Sequence, residues 1–232
     1  MKRNRSMYWA FGAAALMLTA CAPKEGADLE PWATAVGQFP AYFQEYWKDA
    51  EDAAASLPEG TLFFADLDGN SQPELYLTYS TGMGKQTGIL AFDLSSEQPE
   101  LLGSAYLGVA PLDERLEFTR WEEENGAVLH TDGIIPVGAA NQMTPHIESF
   151  LRLTADGLTV EELHYTVQDT GETIYYSGGE PITEEEYRRL RREQCGDGIG
   201  AAVAVSSELN FLEEPEAFVS ALQEGCRSWT EV

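Results

Sequence analysis

Apolar and polar positions change period along this chain, and each change marks a boundary. From residue 40 to about 56, Tyr42, Phe43, Tyr46 and Trp47 recur at helical spacing while Glu45, Lys48, Asp49 and Asp52 fall elsewhere. That pattern predicts an amphipathic helix with Pro40 near its first turn and the aromatic stripe packed in a core. Beyond Pro58 the period shortens, and residues 61–64 and 75–79 read as two strands around a polar turn. Further strands are expected at 88–94, 101–109, 116–121, 127–131, 149–154, 158–167 and 173–176. Asn125-Gly126, Asp132-Gly133, Asp156-Gly157 and Asp169-Thr170-Gly171 supply the positive backbone angles of tight hairpins, so the strands should follow one another as an antiparallel meander.

Helical spacing returns at Thr183. Thr183 with Glu186 forms a capping box, acids occupy the first turn and Arg188, Arg189, Arg191 and Arg192 follow. Glu184 should face Arg188, and Glu185 should face Arg189, as a solvated charge ladder. A last helix is predicted from Pro215 to Glu224, stopped by Gly225. The expected fold is therefore α+β: an antiparallel sheet meander flanked by an N-terminal amphipathic helix and C-terminal helices.

The N-terminus has a different character. Lys2, Arg3 and Arg5 lead a mostly apolar run from 7 to 18, the layout of a secretory signal, and the run is shorter than the roughly 20 residues needed to span a bilayer. Leu18-Thr19-Ala20-Cys21 resembles the lipobox of bacterial lipoproteins. The resemblance implies a signal peptide at 1–20, cleavage before Cys21, a lipid on Cys21 that anchors the chain to a membrane on its extracytoplasmic side, a tether at 21–30 and one globular domain at 31–232.

A formal net charge of -25 changes the list of partners. Nucleic acid is disfavoured, because binding a phosphate backbone depends on Lys and Arg displacing counterions. Anionic lipid headgroups would also repel the chain, so attachment has to come from acyl chains. Divalent cations suit such a surface. With 44% hydrophobic residues the chain can bury a core. Two cysteines remain after Cys21: Cys195 and Cys226. Outside the cytosol they could pair, closing a loop worth about 3 to 4 kcal/mol, yet two reduced thiols fit the sequence equally well.

One stretch carries chemistry. Asp66-Leu67-Asp68-Gly69-Asn70-Ser71-Gln72-Pro73-Glu74 sets oxygen-bearing side chains at the first, third, fifth and ninth positions of an inter-strand loop. Hard cations such as calcium take six to eight oxygens, and alternate residues of a tight loop can aim several at one centre. An EF-hand is excluded, because its twelfth position, a bidentate Glu, is Leu77 here. The loop resembles the calcium hairpin of FG-GAP and integrin-type propeller blades. The resemblance implies Asp66, Asp68, Asn70 and Glu74 as side-chain ligands and the Gln72 carbonyl as a further one. Asn70 stands where that family has a charged ligand and Ser71 where it has a glycine, so any calcium binding should be weak. A propeller needs many such hairpins, and this chain has one.

Together with the lipobox, the aromatic helix, the meander and the Pro181-to-Tyr187 helix start, the loop resembles a group of uncharacterised bacterial surface lipoproteins. The expectation is a membrane-anchored, non-enzymatic binding or scaffolding module whose ligand is a surface protein or glycan. The alternative is an extracytoplasmic hydrolase using paired carboxylates on a cell-wall or dietary polymer, with Glu122, Glu123 and Glu124 beside Trp121 as a place to look. The Gly82-to-Gly88 segment departs from a phosphate-binding loop, because Gln86 stands where Ser or Thr should hold magnesium. His130 with Asp132, His146 with Glu148 and His164 with Glu162 are the histidine–acid neighbours, and none forms a known catalytic motif.

Overall fold

Two antiparallel sheets stack face to face, with helices closing both outer faces. The structure, a computed structural model, describes residues 29–50, 56–81, 87–109, 116–124, 126–135 and 143–230. The signal, Cys21 and the 82–86 loop lie outside these residues. The first sheet joins β1 (Ser56–Leu57) and β3 (Leu62–Ala65) to β4 (Glu74–Thr81), followed by β5 (Thr87–Asp93) and β6 (Glu100–Tyr106). β2 (Glu59–Gly60) pairs instead with β14 (Leu209–Asn210).

The second sheet is built from β7 (Thr119–Glu123), β8 (Gly126–Ile134), β9 (Met143–Thr154), β10 (Gly157–Gln168), β11 (Thr173–Ser177) and β12 (Glu180–Ile182) in sequence order. β13 (Ala201–Ala202) adds to β7 at its far edge. The expected α+β class with antiparallel strands and terminal helices holds, and the meander divides between two sheets.

Alternation explains the layers. On β3, β4 and β5, Leu62, Phe64, Leu75, Leu77, Leu90 and Phe92 face a helix layer, while Phe63, Ala65, Tyr76, Ile89 and Ala91 face the second sheet. Strands covered on both faces read as unbroken apolar runs, as 62–65 does. Ala127, Leu129 and Leu151 fill the space between the sheets from the other side. Val128, Phe150 and Leu163 point outward, under α2 (Glu184–Cys195).

The outer helix layer of the first sheet is α1 (Leu29–Asp49) with α3 (Pro215–Thr230). Phe39 meets Phe92 edge-on at 4.9 Å, and Phe43 meets Phe218 at 5.8 Å. Such pairs add about 0.5–1.5 kcal/mol each beyond area burial.

Three expectations need correction. α1 starts at Leu29 and runs through Pro40 rather than beginning there, because Ala35, Val36 and Phe39 extend the buried stripe and offset the bond Pro40 cannot donate. Asp132-Gly133 makes no turn: it lies inside β8, where a Cβ on Gly133 would sit 2.7 Å from Gly108 Cα. Gly225 does not stop α3, because the helix needs it to approach the sheet; a Cβ there would lie 2.8 Å from the Phe64 ring.

Candidate metal centre

The 66–74 loop joins β3 to β4, and its ends are fixed by the register Ala65 to Glu74. Side chains build the turn. Asp66 Oδ1 accepts the Gly69 N–H at 2.7 Å, and its Oδ2 accepts the Ser71 N–H at 3.0 Å. Asp68 Oδ1 accepts the Asn70 N–H at 2.9 Å. These are the Asx bonds that short acidic residues offer a tight turn. Ser71 is the one non-glycine with positive φ among the described residues, at 69°, so the residue that departs from the hairpin pattern occupies the left-handed position.

The fold brings Asp66, Asp68 and Glu74 together, with one carboxylate oxygen of each within 4.8 Å of the others. Asp68 is exposed, Asp66 is buried, and Glu74 is 3% exposed at the rim of the inter-sheet core. Glu74 Oε2 accepts the Leu67 N–H at 3.0 Å and the Tyr76 hydroxyl at 3.3 Å. Burial first, and the Asp68 and Asp66 charges next, push the Glu74 carboxyl up to about 8. Burial foremost, then the Asp66 and Asp93 charges, raises Asp68 as well. Like charges this close repel by about 3 to 4 kcal/mol at an effective dielectric near 20, and a divalent cation would relieve that repulsion.

Asn70 and Gln72 enter the loop differently. Asn70 Nδ2 donates to Asp68 Oδ2 at 2.9 Å, and Asn70 Oδ1 accepts the Gln72 N–H at 2.6 Å. Three all-oxygen, anionic donors fit a hard cation rather than zinc or copper.

The second sheet holds the loop in place. The Leu67 carbonyl accepts the Ala127 N–H at 3.0 Å, and the Asp66 carbonyl accepts from Arg120 Nη2 at 3.0 Å. Sequence reading missed both, since residues more than fifty positions apart meet only once the sheets stack.

The remaining candidates are dispersed. Cys195 lies in the cluster under α2 and Cys226 in the cluster between α1, α3 and the first sheet, and no disulfide joins them. Burial pushes the Cys195 thiol up to about 11. Glu122 pairs with Arg120 and Glu123 with Arg152 on the surface. The histidine–acid neighbours exchange partners across strands: His130 Nε2 is 3.4 Å from Glu148 and His146 Nδ1 is 3.3 Å from Asp132, whereas His164 keeps Glu162 at 3.5 Å.

No family model, curated protein or solved structure matches the chain. Among the described residues no helix is long and apolar enough to cross a membrane.

Proposed function

We propose that the protein is a lipid-anchored, extracytoplasmic binding or scaffolding module whose 66–74 loop takes a calcium ion. The convergence of Asp66, Asp68 and Glu74 carries the reading. Weak affinity follows from a neutral Asn70 and from a ligand, Glu74, that must give up a proton, which points to a Kd of about 10⁻⁴ to 10⁻³ M, the range of extracellular modules. The ion's role is structural: it neutralises three carboxylates at the point where the loop of one sheet is bonded to the hairpin of the other. A space between sheets filled with side chains supports a module that presents surfaces rather than one that encloses a substrate. The anchor rests on Leu18-Thr19-Ala20-Cys21.

Isothermal titration of calcium into the purified chain, beside Asp68→Ala, tests the site. Saturable heat in the parent and none in the variant supports it, and indistinguishable traces remove it. Mass spectrometry of membrane-extracted protein tests the anchor: a lipid-modified Cys21 at the N-terminus is expected, and an intact Met1 on soluble material overturns it.

A further inference from the structure

We infer that the end of the fold carrying the 66–74 loop faces the bilayer and docks on its anionic headgroups, with calcium shared between the loop carboxylates and lipid phosphates. This rests on the anchor and the calcium site proposed above, and adds to them which way the domain stands.

The direction of α1 places the anchored end. Trp47 meets Tyr79 at 5.3 Å, toward the far end of β4, whereas Phe39 meets Phe92, whose register partner Leu75 directly follows Glu74. Beyond Phe92, Leu94 is buried in the same cluster as Ala35 and Val36. The helix therefore begins at the loop end of the first sheet and runs away from it.

Length then decides which end meets the membrane. Eight residues lead from Cys21 to Leu29, a reach of at most about 28 Å. From Leu29 to Asp49 the helix is itself about 30 Å long. Bringing the Asp49 end to the bilayer would require the tether to double back, fully extended, along the whole helix. The loop end needs no such path.

The surface presented there is acidic. Residues 68–71 form an exposed tip, and Asp93, Glu97 and Glu100 lie beside it where β5 turns into β6. Anionic headgroups repel such an end while it is ion-free. Calcium takes six to eight oxygens, so Asp66, Asp68 and Glu74 leave part of its shell to an outside donor, and phosphate oxygens are suited to it. The ion turns a repelled end into an adhering one.

Energy transfer from the lipidated full chain to a headgroup dye tests this in vesicles of phosphatidylcholine and phosphatidylglycerol in equal parts. The donor is carried at Gln98→Cys, near the loop, or at Asp49→Cys, at the far end of α1; both positions are exposed, while Cys195 and Cys226 are buried. Transfer should be greater from position 98 than from position 49, and about 2 mM calcium should raise it about twofold at position 98 alone. The rise should vanish in chelator, in phosphatidylcholine alone and with Asp68→Ala. Equal or greater transfer from position 49 overturns the orientation, and a rise that persists in Asp68→Ala overturns the bridge. Saturable calcium heat with unchanged transfer removes the docking and leaves the ion site standing. Absence of that heat removes the ion site itself, and an unmodified Cys21 removes the anchor and the docking together.

Discussion

The carbonyl of Leu67 accepts the backbone N–H of Ala127 at 3.0 Å, which bonds the acidic loop of one sheet to the hairpin of the other. Gly126, one residue before, makes the approach feasible: its φ is +134°, and a Cβ there would lie 2.3 Å from the Leu67 oxygen. The loop is thereby part of the packing between the sheets, and what happens to its charges is felt there.

Gly126→Ala should therefore be severe for a surface-turn substitution. It combines a disallowed backbone angle with a backbone collision, so a loss of about 2–4 kcal/mol is expected. Chemical denaturation measures it. Calcium affinity should fall in the same variant, because Asp66 and Asp68 flank the displaced carbonyl; an unchanged midpoint would mean the sheets are not coupled here.

Glu74 sets a pH dependence whose direction reverses with calcium. Its carboxyl, raised to about 8 by burial and by Asp68 and Asp66, holds a proton in the folded, ion-free chain that the unfolded chain releases near its ordinary value of 4.5. The unfolded state binds fewer protons across that window, so ion-free stability falls as pH rises from about 4.5 to 8. Calcium requires the ionised form, and its rise in Tm should be larger at about pH 8.5 than at about pH 6, with proton release seen as buffer-dependent heat. Glu74→Gln should add on the order of 1–3 kcal/mol at pH 8 in chelator and abolish the calcium response.

Ser71→Gly is expected to stabilise. A side chain at φ 69° costs about 1 kcal/mol, and glycine removes most of that, less its greater freedom when unfolded. Thermal unfolding in chelator should shift upward by a few degrees, with calcium affinity equal or tighter. A downward shift would show that the Ser71 side chain contributes more than its backbone costs.

Elements whose pattern is local were legible in the sequence, and features set by stacking were not. The Thr183 half of the capping box forms, with its hydroxyl accepting the Glu186 N–H at 3.2 Å, because both partners lie within one turn, whereas the Glu186 carboxylate pairs with Arg189 instead of returning to the cap. The carboxylates of the 66–74 loop converge for the same reason. Gly133 and Gly225 looked like punctuation, yet each serves a close approach to a distant segment, Gly108 in one case and Phe64 in the other. The division into two sheets was hidden because residues 101–109 read as one apolar run, whereas β6 ends at Tyr106 and the chain crosses to bridge Val109 with Ile134. Strand register likewise decided the histidine partners: i and i+2 share a face, but the pairing runs between β8 and β9.

Acid should release α2 before it unfolds the core. Burial pushes the Glu148 carboxyl up, but the His130 bond and the Arg191 charge outweigh it and hold the group below the usual carboxylate range. A depressed carboxyl contributes stability that is present above its unfolded value and is lost as pH falls through the folded one, so the loss belongs below about pH 4.5. Glu148 faces His130 and the register partner Asp132 from β8, Tyr165 from β10, and Tyr187, Arg191 and Cys195 from α2. A protonated Glu148 leaves Arg191 without its buried counter-charge, while among the described residues the core between α1, α3 and the first sheet is an apolar cluster. Hydrogen exchange at about pH 3.5 should accordingly rise over residues 184–195 while that core stays protected. Glu148→Gln should show the same loosening at neutral pH, by about 1–3 kcal/mol, and lose the acid step. Simultaneous loss of protection in both regions would assign acid sensitivity to the fold as a whole.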